Sequence, residues 1–271
     1  MNKKEARFFK ERYDFYPRKR LGQSFLVDQN NIERIIASCN LSNKDIVLEI
    51  GPGLGALTER IVRVAKRLIA VEIDRNLCDR LREKLGHYKN LTFKCQDFLK
   101  FDFKGLKGIK VIANLPFYMS TSIISKLLYK KKSISEIFMT VQKELAERIN
   151  ASGGRKDYGA FSLFVQYHTL PQTLFDIKRT CFRPEPKVDA SFMNLKIRKD
   201  TQLKPKDEKL VFEIIRKSFT QRRKNIVNAL KDLIPKDGLI EALSKSDISL
   251  NRRPDSLRLE DFAKLADALS N

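Results

Sequence analysis

Glycines, carboxylates and one asparagine recur in this sequence at spacings that bring them to the ends of successive chain segments. Glu49-Ile50-Gly51-Pro52-Gly53-Leu54-Gly55 follows an apolar, β-rich run and opens a helical one. In that context glycines let a backbone pass close to a nucleotide-like ligand. Gly51, Gly53 and Ala56 also satisfy the dinucleotide fingerprint, so a nicotinamide cofactor is as compatible with this loop as another adenosine-bearing ligand. Glu72 follows about 20 residues on, where a carboxylate accepts hydrogen bonds from both hydroxyls of a ribose. Asp97, with Phe98 beside it, suits the exocyclic amine of an adenine ring. Asn114-Leu115-Pro116-Phe117 separates the alternatives. The amino nitrogen of adenine is a poor nucleophile because its lone pair is delocalised into the ring. An amide oxygen and a backbone carbonyl can both accept its hydrogens and draw it toward tetrahedral geometry, ready to attack a methyl sulfonium. Pro116 fixes the loop, Phe117 offers a face to a base, and hydride transfer has no use for the set. No strong base is required, since water can take a proton that becomes acidic only after the methyl has moved.

These residues need a scaffold that delivers them to one edge. From Asp45 the sequence alternates strands at 46–50, 68–73, 92–95, 111–113 and 137–141 with helices at 57–64, 75–85 and 121–129. The alternation predicts an α/β fold, a Rossmann-like doubly wound and mostly parallel sheet with ligands at the carboxyl ends of its strands. Upstream, Asp28 reads as the N-cap of a helix that carries Ile32, Ile35, Ile36 and Cys39 on one face. Segments 161–167, 172–177 and 191–197 are β-rich without long helices between them and predict a terminal hairpin on the sheet. Tyr158, Gly159 and Ser162 are expected to close a loop against it. Residues 199–206, charged and with Pro205, have the composition of a linker. Helices are expected beyond it at 207–219, 221–230, 239–243 and 259–269. The resulting division is a basic N-terminal arm at 1–20, a sheet domain at 21–198 and a small all-helical domain at 199–271.

Fifty-four Lys and Arg against 33 Asp and Glu leave the 271 residues with a formal charge of +21. That balance points to a polyanionic partner rather than a small neutral metabolite. The 18 Phe and 7 Tyr exclude disorder over most of the chain. Four scattered cysteines without a CxxC pair and two distant histidines argue against a metal site or a disulfide scaffold, and reduced thiols fit a cytoplasmic protein. No uncharged apolar run approaches the roughly 20 residues that span a bilayer. In the first 20 residues, cations alternate with Phe8, Phe9, Tyr13, Phe15 and Tyr16. Such an arm can lie along phosphates and stack on bases, or tuck its aromatics against the body. Gln142-Lys143-Glu144 and Arg148 read as an ordinary helix start with ion pairs, ahead of a role in RNA access.

Seven ordered motifs carry a family resemblance: Gly22-Gln-Ser-Phe-Leu26-Val-Asp28, Glu49 to Gly55, Glu72-Ile-Asp74, Gln96-Asp97, Asn114 to Phe117, Gln142 to Glu144, and Phe182-Arg-Pro-Glu-Pro-Lys-Val-Asp189. Over about residues 18 to 269 the chain resembles the KsgA family of small-subunit ribosomal RNA adenine N6,N6-dimethyltransferases, relatives of the Erm enzymes of large-subunit RNA. The resemblance implies a class I methyltransferase domain with S-adenosylmethionine as cofactor, no metal, and contacts from Gln23, Ser24, Leu26, Gly51, Gly53, Glu72, Ile73, Asp97, Phe98 and Asn114. It implies that Asn114, Leu115, Pro116 and Phe117 form the catalytic loop, with Phe182 stacking on the target adenine opposite Phe117. Ser24 stands where many members carry Asn or His, and Phe117 where the bacterial enzymes usually have Tyr.

Phe219 to Leu230, with Arg222-Arg223-Lys224, looks like the KsgA branch rather than the Erm branch. Arg222, Arg223, Lys224, Arg252 and Arg253 form a cluster suited to phosphates. The expectation is dimethylation of two adjacent adenosines in the 3′-terminal hairpin of 16S ribosomal RNA, within the 30S particle or its precursor, by a monomer in the cytoplasm. An Erm-like enzyme of 23S RNA and an assembly factor that works mainly by binding are the alternatives.

Overall fold

The computed structural model describes residues 3–199 and 203–270. Residues 200–202, inside the expected linker, lie outside them, as do the side chains of Lys3, Lys4 and Ala6 in the expected arm. By their contacts the residues form two units, 1–146 with 172–197, and 147–171 with 198–271.

The chain enters the first unit through a helix rather than a loose arm. Helix α1 (Lys3–Tyr13) leads to the short strand β1 (Phe25–Leu26), and α2 (Gln29–Ser38) follows. Phe9 is fully buried and Phe15 nearly so, in a small core with Phe25 and Leu77, so the tucked reading of the aromatics holds for these two rings. Asp28 caps α2 by accepting from Asn31 N at 2.8 Å, and Ile32, Ile35 and Cys39 are buried beneath it.

Then comes the alternation: β2 (Ile46–Ile50), α3 (Thr58–Val64), β3 (Arg67–Glu72), α4 (Arg75–Leu85), β4 (Leu91–Cys95), β5 (Ile109–Asn114), α5 (Ser120–Tyr129) and β6 (Ile134–Gln142). Runs such as Ile-Val-Leu-Glu-Ile are apolar on both faces because helices are to cover both sides of a parallel sheet. After α6 (Lys143–Asn150) and α7 (Ala160–His168), the strands β7 (Thr169–Ile177), β8 (Phe182–Arg183) and β9 (Ala190–Ile197) finish the β structure. The seven-stranded sheet has the order β4-β3-β2-β5-β6-β9-β7. β2 runs parallel to both β3 and β5, which puts the reversal of strand order at β2, while β9 is antiparallel to β6. β7 and β9 lie side by side at one edge, as the β-rich segments predicted. Between them β8 leaves the sheet and pairs with β1, Leu26 opposite Phe182.

The segment 161–167 corrects an expectation. It is helix α7, because Gly159 N donates to Ser162 Oγ at 3.1 Å and starts a helical turn. Its β-rich look reflects burial, since a short helix buried on most faces has no polar stripe to reveal its period. Tyr158 belongs with it and donates to Leu257 O at 2.9 Å rather than closing a loop on the sheet. The sheet unit therefore lacks 147–171, which the expected boundary at 198 had placed in it.

The helical unit continues with α8 (Glu208–Thr220), α9 (Ile226–Leu230), α10 (Lys236–Lys245) and α11 (Leu259–Leu269). α9 is shorter than the expected 221–230, because Asn225 caps it by accepting from Asn228 N at 2.9 Å. Val211, Ile214, Ile226, Leu243 and Phe262 form its core, and Tyr167 of α7 packs edge-on against Phe212.

Candidate active site

At the carboxyl ends of β2, β3, β4 and β5, one cleft collects the glycine loop, the acidic positions and the Asn-Leu-Pro-Phe loop. Every residue expected to hold cofactor or target lines it: Gln23, Ser24, Leu26, Gly51, Gly53, Glu72, Ile73, Asp97, Phe98, Asn114, Leu115, Pro116, Phe117 and Phe182.

The glycine loop is held by the strand beside it. Gly53 has φ +58° and its N–H donates to Glu72 Oε2 at 3.1 Å, while Asp74 N donates to Oε1 at 2.9 Å. A Cβ on Gly53 would stand 2.9 Å from the Phe25 ring, which Phe9 and Phe15 hold edge-on, so the loop approaches that ring as only glycine allows. Burial raises the Glu72 pKa against the lowering effect of the Asp74 and Gly53 N–H bonds.

Glu49, read only as the head of the glycine motif, is a cleft residue in its own right. Burial pushes its carboxyl up to about 8, Thr58 opposes the shift, and the nearby Glu72 adds to it. Its Oε2 is buried without a hydrogen-bond partner. A buried Glu49 carboxyl with an unused oxygen suits a cofactor bearing a sulfonium and an ammonium group, whose positive charge would favour its ionised form. The residues present therefore fit S-adenosylmethionine, which supplies an electrophilic methyl when bound.

On the adenine side, Asp97 Oδ1 accepts from Leu99 N at 2.8 Å and starts the 3-10 turn Phe98–Lys100. Lys126 of α5 locks that turn, donating to the carbonyls of Phe98, Leu99 and Phe101 at 2.9, 2.7 and 2.7 Å. Lys126 is not singled out by the sequence, and Asp74 stands there only as the end of the Glu72-Ile-Asp74 motif, with no role of its own. Asp74 is almost fully buried and accepts from Gln23 Nε2 at 2.9 Å, with Arg18 Nη1 at 3.4 Å, which ties the Gly22 to Asp28 motif to β3. Its place in Glu72-Ile-Asp74 was the available signal.

Asn114 is the last residue of β5, and its Nδ2 donates to Ser24 O at 3.4 Å, leaving Oδ1 as an acceptor. Ser24 in turn donates through Oγ to Pro184 O at 2.8 Å and joins the start of β1 to the segment after β8. Pro116 O is occupied by Met119 N at 3.0 Å and Ser120 Oγ at 3.2 Å, which makes a tight turn of Phe117–Met119. Phe117 is half-buried, and Phe182 is buried to 1% exposure with an edge on the cleft.

The basic cluster divides in the helical unit. Arg222 Nε meets Asp255 Oδ2 at 3.2 Å, and its other nitrogens donate to Lys156 O and to Arg155 O, the latter at 2.8 Å. Arg252 donates to Ser256 Oγ at 3.2 Å and to Ser256 O, with Asp261 at 3.8 Å. These two guanidinium groups brace loops while remaining partly exposed. Arg223, Lys224 and Arg253 are exposed. Lys143, at the start of α6, pairs with Asp176 at 2.6 Å.

A doubly wound sheet whose carboxyl edge carries a glycine loop, acidic residues and an Asn-Leu-Pro-Phe loop has the architecture of a class I methyltransferase. The family model for ribosomal RNA adenine dimethylase matches residues 15–271, and the chain belongs to that family. It is thus an S-adenosylmethionine-dependent enzyme that dimethylates adenine in ribosomal RNA. It is 40% identical to the ribosomal RNA small subunit methyltransferase A of a Geobacillus species, over 96% of this chain and 94% of that protein. A dimethyladenosine transferase from Plasmodium falciparum has the same fold, with a TM-score of 0.79 at 24% identity, over 89% of this chain and 95% of that one. The 23S rRNA methyltransferase ErmE matches with a TM-score of 0.71 at 26% identity, over 91% and 100%. No helix among the described residues is long and apolar enough to cross a membrane.

Proposed function

We propose that this chain dimethylates N6 of two adjacent adenosines in the 3′-terminal hairpin loop of 16S ribosomal RNA, within the 30S subunit or its precursor, as a cytoplasmic monomer. One observation carries the reading: the Asn114 amide is oriented by Ser24 O at the end of β5, beside Phe117 and in the cleft that Glu49, Glu72 and Asp97 line.

Asn114 Oδ1 accepts one N6 hydrogen, and the Leu115 carbonyl is the acceptor for the other, since Pro116 O is already occupied. Both acceptors localise the nitrogen lone pair toward the methyl donor. The rings of Phe117 and Phe182 hold the flipped base, and a loop nucleotide costs less to unstack than one in a duplex. Leu115, only 2% exposed, and Pro116 keep the acceptors still. No side chain of the loop takes the proton, which leaves to water. Glu72 is placed for the ribose and Asp97 for the adenine amine of the cofactor. Arg223, Lys224 and Arg253 contact phosphates. The name of the Geobacillus relative favours the small subunit over the large.

The test is mass spectrometry of nucleosides from 30S particles that lack the two dimethyladenosines, after incubation with the protein and S-adenosylmethionine. N6,N6-Dimethyladenosine confined to the 3′-terminal hairpin is expected. Asn114→Ala is expected to lower the rate by about 10²-fold or more, the scale of losing one positioned acceptor or donor at a reacting centre. Product on 23S RNA alone would assign the Erm reaction, and tight 30S binding without product would leave an assembly factor.

A further inference from the structure

Tyr118 follows the catalytic loop directly and is far more exposed than Phe117. Phe117 is half-buried in the cleft, whereas Tyr118 is 58% exposed at its mouth. Such exposure is uncommon for a ring on a turn so tightly closed, with Met119 N on Pro116 O at 3.0 Å and Ser120 Oγ on the same oxygen at 3.2 Å. The ring is also seated. Two of its edge carbons lie 2.9 Å from where a Cβ on Gly22 would stand, so the edge rests on bare backbone, and Gly22 has φ +59°. Gly22 ends the 3-10 turn Lys19–Leu21, whose Lys19 and Arg20 are exposed. An aromatic ring held by one edge, open on the remainder and resting on the end of a turn that carries two exposed cations has the makeup of a single-strand nucleic-acid platform, in which the base stacks and the cations meet phosphate.

We propose that Tyr118, seated on Gly22 and flanked by Lys19 and Arg20, is a stacking platform for the unpaired nucleobase next to the target adenosine. This rests on the reading of the cleft as the adenosine methylation site. Phe117 and Tyr118 are consecutive residues, as the target adenosine and its neighbour are consecutive nucleotides. The ring positions substrate and takes no part in methyl transfer. It acts on how tightly the RNA loop is held, from the mouth of the cleft. Because stacking uses the ring face, the hydroxyl is dispensable and the platform accepts any base.

The experiment compares full-length wild type, Tyr118→Ala and Tyr118→Phe on 30S particles lacking the dimethyladenosines. A second set of particles is rebuilt around 16S RNA with an abasic nucleotide beside the target. Tyr118→Ala is expected to raise KM for the first particle about tenfold, with kcat at saturation and the Kd for S-adenosylmethionine unchanged. Tyr118→Phe is expected to restore KM, and on the abasic particle all three proteins are expected to share one KM. An unchanged KM in Tyr118→Ala, or a defect that persists in full on the abasic particle, overturns the platform while wild-type methylation keeps the underlying reading intact. Wild-type protein that methylates neither particle overturns both.

Discussion

Glu49 is a nearly fully buried carboxyl in the cleft with one oxygen unpartnered. Its folded pKa of about 8 lies above the ordinary value of 4.5, so the folded state keeps the proton where the unfolded chain has lost it. Stability then declines as pH rises through the window from 4.5 to about 8, and the contribution is fully intact below that window. Glu49→Gln removes the titrating group and is expected to flatten this decline. Urea unfolding of both proteins at pH 5 and pH 8 measures it: the variant is expected to gain on wild type at the higher pH, and an identical pH dependence would contradict the assignment. Among single residues, type and position were legible for the glycines, Glu72, Asp97 and Asn114, because backbone approach and amine acceptance demand particular side chains. Asp74 was not, because an N-cap aspartate looks the same whether or not Gln23 and Arg18 reach it across more than 50 residues of chain.

Elements set how firmly those residues stand. The adenine-side turn at Phe98–Lys100 has no strand partner and depends on Lys126, whose three hydrogen bonds join it to α5, the helix that follows the catalytic loop. Lys126→Met keeps the stem and loses the three charged bonds, each of a kind worth roughly 1.5 to 3 kcal/mol. The expected outcome is about a tenfold weaker Kd for S-adenosylmethionine by calorimetry, with the Asn114 loop still able to turn over at saturating cofactor. Unaltered affinity would show that the turn holds itself. The alternation of β2 to β6 was legible because each strand and helix advertises its own period. α7 was misread as a strand, since aromatic and β-branched residues buried on most sides carry no period at all.

Across the whole molecule, a charge of +21 makes association with RNA salt-dependent, as each phosphate contact releases counterions. The paired substitution Arg223→Ala with Lys224→Ala is expected to reduce the slope of log K against log salt for 30S binding by about 1 to 2, as two phosphate contacts are lost. Arg222→Ala is expected to act differently. It removes the bonds to Asp255, Arg155 and Lys156 and lowers the unfolding midpoint of the helical unit, with little change in the salt slope. Filter binding over a salt series and thermal unfolding separate the two outcomes, and equal slopes for both variants would remove Arg223 and Lys224 from the RNA surface.

What the sequence alone determined about this protein is the chemistry and its order along the chain. The glycine loop, the two acidic positions, the Asn-Leu-Pro-Phe loop and the strand periods are local patterns, and a parallel sheet brings strand ends to one edge without further instruction. Tertiary structure alone decided which guanidinium groups brace loops, that 147–171 joins the C-terminal helices, and that Phe9 and Phe15 of the N-terminal segment pack behind Phe25. Each of these depends on partners far apart in the chain, Arg222 with Asp255 or Lys126 with Phe98, and a side chain's sequence neighbours do not record which distant oxygen it will meet.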